Sequence, residues 1–227
     1  MGRLIDLSYA LGSDLPPMKG HPVVDYRLTD THEVHRRTNA VISFSIHMGT
    51  HIDPPYHYIP DGETIDQLPL ERFYTPGFVF NLRGRVPEYT AIHVRQLLEG
   101  TRLPDGGLRG YFVIVNSGWA AENYHKAHYY SRAPWLATET AEWFVAQGVG
   151  AVGLDHPPDK LTLDPATDRL EPGDSPVHRT LLGNKVLIVE NLANVDQLGS
   201  RPFRVAAFPL KIHRGCGGPA RVVAIEE

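Results

Sequence analysis

The run His47-Met48-Gly49-Thr50-His51-Ile52-Asp53-Pro54-Pro55-Tyr56-His57 constrains the fold more than any other stretch of the chain. A helix with His47 and His51 one turn apart would have to pass through Gly49 and stop at Pro54, which both residues disfavour. From Val41 to Met48 apolar Ile42, Phe44, Ile46 and Met48 alternate with polar Ser43, Ser45 and His47, the period of a strand with one face on a core. His47, His51, Asp53 and His57 all occupy odd positions, so an extended chain would project them to one side. Gly49 is expected to break the strand and Pro54-Pro55 to prevent a helix and stiffen the loop. The reading places these groups at a strand end and the rigid turn beyond it.

Neutral imidazole nitrogens and carboxylate oxygens suit zinc, manganese or iron. A metal with three protein ligands keeps a position open for water and lowers the pKa of that water towards ~7. Attack by that water also needs a proton acceptor and donor, most often His. His57 fits this role because the prolines can hold it near a metal without making it a ligand. A His-rich turn bonded to backbone carbonyls is the bland alternative, and four groups in register on one face argue against it.

A second constellation lies downstream. Glu190 ends the apolar run Val186-Leu187-Ile188-Val189, where a buried carboxylate is costly unless paired, hydrogen-bonded or bound to a cation. His178 precedes it by twelve residues, after the turn-rich stretch Pro172-Gly173-Asp174-Ser175-Pro176. Brought to the first cluster, the two would complete a two-metal site bridged by Asp53. Spacing leaves open the alternative that Glu190 pairs with an arginine.

A chain of 227 residues with 42% hydrophobic content can bury one substantial core, so a single domain over residues 1–227 is expected. The net charge of -4, with no run of Lys or Arg, argues against nucleic acid or anionic membrane as partners. Cys216 is the one cysteine, so no intramolecular disulfide can form, and a reducing, cytoplasmic setting is expected.

Short apolar runs predict strands over Leu4–Leu7, Val41–Met48, Phe78–Leu82, Tyr111–Asn116, Ala151–Asp155, Val186–Glu190, Phe203–Ile212 and Arg221–Ile225. Helices are predicted over Ala91–Glu99, closed by Gly100, and Glu139–Gln147, with Thr138 as N-cap and Gly148 as terminator. The expected architecture is mixed α/β, a strand-built core with few covering helices.

The motif from His47 to His57 resembles the HxGTHxDxPxH signature of the metal-dependent cyclase family, which includes bacterial kynurenine formamidases, isatin hydrolases and related amide and lactone hydrolases. The resemblance extends to Leu4-Ile5-Asp6-Leu7-Ser8, Asn116-Ser117-Gly118-Trp119, Gly153-Leu154-Asp155, and the closing stretch from Pro209-Leu210-Lys211-Ile212 to Pro219-Ala220-Arg221. It implies a compact β/β/α swivel-like domain and a homodimer or larger homo-oligomer. It also implies a first divalent metal, zinc or manganese, on His47, His51 and Asp53. A second ion in binuclear members would use Asp53, His178 and Glu190, with His57 as acid/base. The implied reaction is attack of metal-activated water on an amide or ester carbonyl of a small molecule.

The chain also departs from the family pattern. Kynurenine formamidases carry a Trp-Pro-Gly-Asp run where this chain has Met18-Lys19-Gly20-His21-Pro22, and His156-Pro157-Pro158 follows Asp155 where a serine is frequent. Gly218 precedes Pro219 where serine is frequent. These differences imply a changed pocket around retained metal chemistry, so a formamide or cyclic amide is a broader target than formylkynurenine. Trp119 is a candidate substrate contact, against the alternative of simple packing. Asp155 is expected to cap a turn, and Cys216 to be a loop thiol. The competing functions are a lactone hydrolase, a non-haem iron oxygenase using His47, His51 and Asp53, and a non-catalytic metal-binding module. The last two give no role to His57.

Overall fold

The computed structural model describes residues 2–12, 14–16, 18, 20–161, 174–199 and 201–226. Lys19, Pro172 and Gly173, read above as parts of a pocket segment and of a turn, lie outside them. Seven strands close a barrel: β4 (His51–Asp53), β5 (Tyr74–Asn81), β7 (Phe112–Asn116), β9 (Ala151–Leu154), β10 (Leu187–Glu190), β11 (Phe203–Pro209) and β12 (Gly218–Glu226). The order round the barrel is β12-β11-β5-β7-β9-β10-β4, and β4 returns to β12 through the register Gly218 with Ile52 and Pro219 with His51. β5, β7, β9 and β10 run parallel, and the remaining barrel pairs are antiparallel. β1 (Leu4–Asp6) adds to the other end of the β12 edge.

Alternation along the strands divides the apolar residues between two layers. Phe112, Ile114, Leu187, Val189 and Ile52 join one core cluster with Val205, Val222 and Ala224. Val113, Val115, Val152 and Ile188 face the other way, against α4 (Thr138–Gln147) and α5 (Pro176–Gly183). Strands buried on both faces read as unbroken apolar runs, which is why these elements were predictable. Burying each such side chain contributes roughly 1.5–3 kcal/mol. The architecture is the mixed α/β, strand-dominated one expected, with few helices. No helix among the described residues is long and apolar enough to cross a membrane.

Several predicted elements differ. The strand expected over Val41–Met48 is β3 (Asn39–Ser43), and Ser45–Met48 forms a turn closed by Met48 N–H to the Ser45 carbonyl. Among the described residues β3 pairs only with β2 (Asp25–Asp30), in a two-stranded sheet separate from the barrel, leaving Val41 and Ile42 50% and 41% exposed. The alternating pattern therefore splits: Ile42 stays exposed on the hairpin, whereas Phe44 and Met48, beyond the end of the strand, pack into a separate apolar cluster. Pro54-Pro55 does not prevent helical turns either: Pro55 starts a 3-10 turn, Pro55–His57, where its missing N–H costs nothing.

The helix predicted over Ala91–Glu99 divides into β6 (Ala91–Ile92), paired with β8 (Trp135–Leu136), and α2 (Val94–Leu98). Thr138 is the first residue of α4 rather than its cap, which is Ala137. Two further short helices, α1 (His32–His35) and α3 (Trp119–Asn123), were not predicted, nor was α5.

Candidate metal centre

Strand register brings the first three ligand candidates together. His51 and Asp53 flank Ile52 on β4, so they share the face opposite the barrel interior. Glu190 lies directly across from His51 on β10, on that same face. α5 covers this face and delivers His178, whose Nε2 lies 3.1 Å from Glu190 Oε1 and 3.7 Å from Asp53 Oδ2. The helix was not anticipated, yet Pro176 at its first turn and apolar Val177, Leu181 and Leu182 at helical spacing carry the signal.

His47 and His57 arrive from the turns on either side of β4. Gly49, at φ +66°, permits the turn that places His47 Nδ1 2.8 Å from Asp53 Oδ1. The 3-10 turn lays the His57 ring on that of His47, with centroids 3.9 Å apart and planes 21° from parallel. The four motif groups converge as predicted, but through two turns and one short strand rather than along one extended segment.

Hydrogen bonds to second nitrogens fix the rings. His51 Nδ1–H donates to the Gly49 carbonyl at 2.9 Å, leaving Nε2 free towards Asp53 at 3.5 Å. The Gly49 carbonyl also accepts from Asn191 Nδ2 at 3.0 Å, which anchors this turn to the end of β10. His178 Nδ1–H donates to Asp159 Oδ2 at 2.6 Å, and the same carboxylate accepts the backbone N–H groups of Val177 and His178. Asp159 thus holds the start of α5 and turns His178 Nε2 inward, the carboxylate–imidazole support that metal ligands commonly have. It was missed in the sequence because it lies nineteen residues from His178 in no recognisable motif. Replacing Asp159 with Asn should weaken divalent-metal affinity roughly 10–100-fold. Competition with a metallochromic chelator measures this, and unchanged affinity would deny Asp159 the orienting role.

Electrostatics single out Asp53. Its side chain is wholly buried, and Oδ2 has no hydrogen-bond partner among the described residues. Burial would raise its pKa, but the imidazoles of His51 and His57, with His178 and His47, hold it well below the usual carboxylate range. Burial pulls His57 down to about 3, Asp53 opposing and the other imidazoles assisting, so its ring is uncharged at pH 7. For His47, burial is outweighed by Asp53, and its pKa is pushed up to about 9. In His178, burial is likewise outweighed, by Asp159, Asp53 and Glu190, and the pKa is raised well above the ordinary imidazole value.

A buried, partly unpartnered carboxylate among imidazoles is the donor set of a divalent-metal site. His47, His51 and Asp53 form one triplet of close donor atoms and Asp53, His57 and His178 another, the atoms of each triplet lying within 4.8 Å of one another. A cavity of about 100 Å³ opens onto the cluster, bounded by His21, Tyr58 and Pro157 among others. A larger groove of about 940 Å³ crosses β5 and β11 but contains none of these donors, so the chemistry belongs to the smaller space.

The other candidates fall in different places. Trp119 is buried in a cluster with Tyr124 and Tyr129, donates its indole N–H to the Tyr129 carbonyl and does not line the cavity beside the histidines. Asp155, expected to cap the turn that follows it, instead accepts from the Ser117 N–H and hydroxyl and braces the turn after β7. His21 had no arguable partner in the sequence, yet its Nδ1 lies 2.8 Å from Ser45 Oγ and its ring lines the cavity. Cys216 also lies closer to the cluster than a simple loop thiol would, with Sγ 3.5 Å from His47 Nε2.

A barrel carrying a buried histidine–carboxylate cluster on its outer face presents the donor set of a divalent-metal site. Residues 5–158 match the Cyclase family model, and the chain belongs to the cyclase family. It is similar to a kynurenine formamidase from Paracidovorax citrulli (strain AAC00-1), with 31% identity over 187 residues, covering 81% of this chain and 78% of that protein. A kynurenine formamidase from Bacillus cytotoxicus is 24% identical over 220 residues, covering 96% and 95%. In fold the chain is similar to isatin hydrolase A from Ralstonia solanacearum, with TM-score 0.83 and 23% identity over 99% of this chain and 92% of that one.

Proposed function

We propose that this protein is a metal-dependent amidohydrolase that cleaves the carbon–nitrogen bond of a small formamide or cyclic amide, with an aromatic substrate favoured. The observation that carries this reading is the Asp53 carboxylate, buried among His47, His51, His57 and His178 with one oxygen left over. His47, His51 and Asp53 would hold a first divalent ion, and Asp53, His178 and Glu190 a second. Zinc and manganese both suit these nitrogen and oxygen donors. A metal here supplies a water of lowered pKa and polarises the carbonyl under attack. The relatives named kynurenine formamidase and isatin hydrolase support the substrate class.

His57 has the remaining chemical task. Placed with its nitrogen beside Asp53, it would take the proton of the attacking water and return it to the departing nitrogen. Stacking on His47 restricts its ring to the neighbourhood of Asp53. Asp159 keeps His178 directed inward, and Asn191 braces the Gly49 turn. The close cavity walls, including Tyr58 packed on His178, limit water around the reacting groups.

Trp119 would act by shaping the wall behind the site rather than by touching substrate. A cytoplasmic homodimer or larger homo-oligomer fits the exposed apolar hairpin, on which Tyr26 and Leu28 remain 59% and 49% exposed.

The test is elemental analysis of the purified protein combined with assays on formanilides, isatin-like cyclic amides and lactones. Bound zinc or manganese with turnover of the amides is expected. Preferential turnover of lactones would reassign the bond cleaved, and metal-independent turnover would remove the mechanism. Replacing Glu190 with Gln should reduce metal content from two ions per chain to one. Unchanged stoichiometry would eliminate Glu190 as a ligand.

A further inference from the structure

A third donor triplet overlaps the hydrolytic centre: His47, His57 and Cys216, with ligand atoms within 4.8 Å of one another. Cys216 faces His47 Nε2, whereas Asp53 faces Nδ1 of the same ring. A cation bonding sulfur at about 2.3 Å and imidazole nitrogen at about 2.0–2.1 Å holds those two atoms about 3.5 Å apart at the tetrahedral angle. That is the separation of Cys216 Sγ from His47 Nε2, 3.5 Å.

The loop carrying the thiol is fitted to the ring. A Cβ at Gly217 would stand 2.6 Å from His47 Cε1, so only glycine lets the backbone pass this close. Gly218 then pairs with Ile52 of β4, and the Gly215 carbonyl accepts the Ile65 N–H, fixing the loop on both sides. Independently, the His57 ring stacks on that of His47 with centroids 3.9 Å apart, which brings a second imidazole nitrogen within reach of the thiol. The thiol therefore has two imidazole nitrogens close enough to share one cation with it.

We propose that His47, His57 and Cys216 form an inhibitory site for a thiophilic divalent cation, such as excess zinc or cadmium. Binding releases the thiol proton to solvent, and the thiolate and two imidazole nitrogens become ligands. Occupancy withdraws the His57 lone pair from proton transfer and competes for His47, so the ion turns the enzyme off. This consequence rests on the amidohydrolase reading; the binding site itself does not.

The experiment is cadmium titration of the protein already loaded with its hydrolytic metal, following both thiolate-to-metal charge-transfer absorption in the ultraviolet and amide hydrolysis. The expected result is absorption saturating with one cadmium ion bound per chain, in competition with the ion on His47, and inhibition along the same curve. Cys216→Ser should keep basal turnover, lose the absorption and need roughly tenfold or more cadmium for inhibition, as when support for a metal site is removed. Absence of the band in the unaltered protein, a band without inhibition, or equal inhibition of Cys216→Ser would each overturn the proposal. If no amide is hydrolysed, the amidohydrolase reading fails separately, and the absorption still decides whether sulfur binds the ion.

Discussion

Asp53→Asn should yield a folded protein that retains almost no divalent metal and has lost hydrolytic activity. Asn fills the same volume, so packing around β4 is preserved. It cannot supply the negative charge that every imidazole of the cluster faces, nor an anionic oxygen to two ions. Metal-derived charge stabilisation is worth several kcal/mol, so turnover should fall on the order of 10³-fold or more. Metal content and circular dichroism on the same sample separate this outcome from unfolding. Full metal retention in the variant would show that Asp53 is no ligand.

The second large effect concerns His57. His57→Ala should reduce kcat roughly 10²–10⁴-fold, the usual contribution of a positioned proton-transfer group, while metal content stays near that of the unaltered protein. The distances also allow His57 to act as a ligand, because its nitrogen belongs to a donor triplet with Asp53 and His178. The two roles separate in this variant: a base is lost without metal loss, whereas a ligand takes the ion with it. Concurrent loss of metal would reassign His57.

How much of this was legible in the sequence depended on what each segment touches. β7, β9 and β10 were found within a residue or so because burial on both faces leaves no polar interruption. β3 was overextended because the apolar alternation continues through Phe44 and Met48, which reach an apolar cluster from a turn rather than from a strand. The convergence of His47, His51, Asp53 and His57 was readable from their compact spacing, although the turns that achieve it were not. His178 and Glu190 could be nominated from chemistry and family resemblance, but their approach to Asp53 depends on α5 crossing β10. Asp159, His21 and Cys216 contribute through contacts spanning 19 to 169 residues, for which local pattern holds no signal.

The most direct test of the metal centre is an anomalous-scattering map from crystals grown with the native metal, collected across its absorption edge. A peak bonded to Asp53 and His51 Nε2, with a second beside His178 and Glu190 in the binuclear form, is expected. A map with no peak near Asp53, at full metal occupancy elsewhere in the protein, would contradict the account.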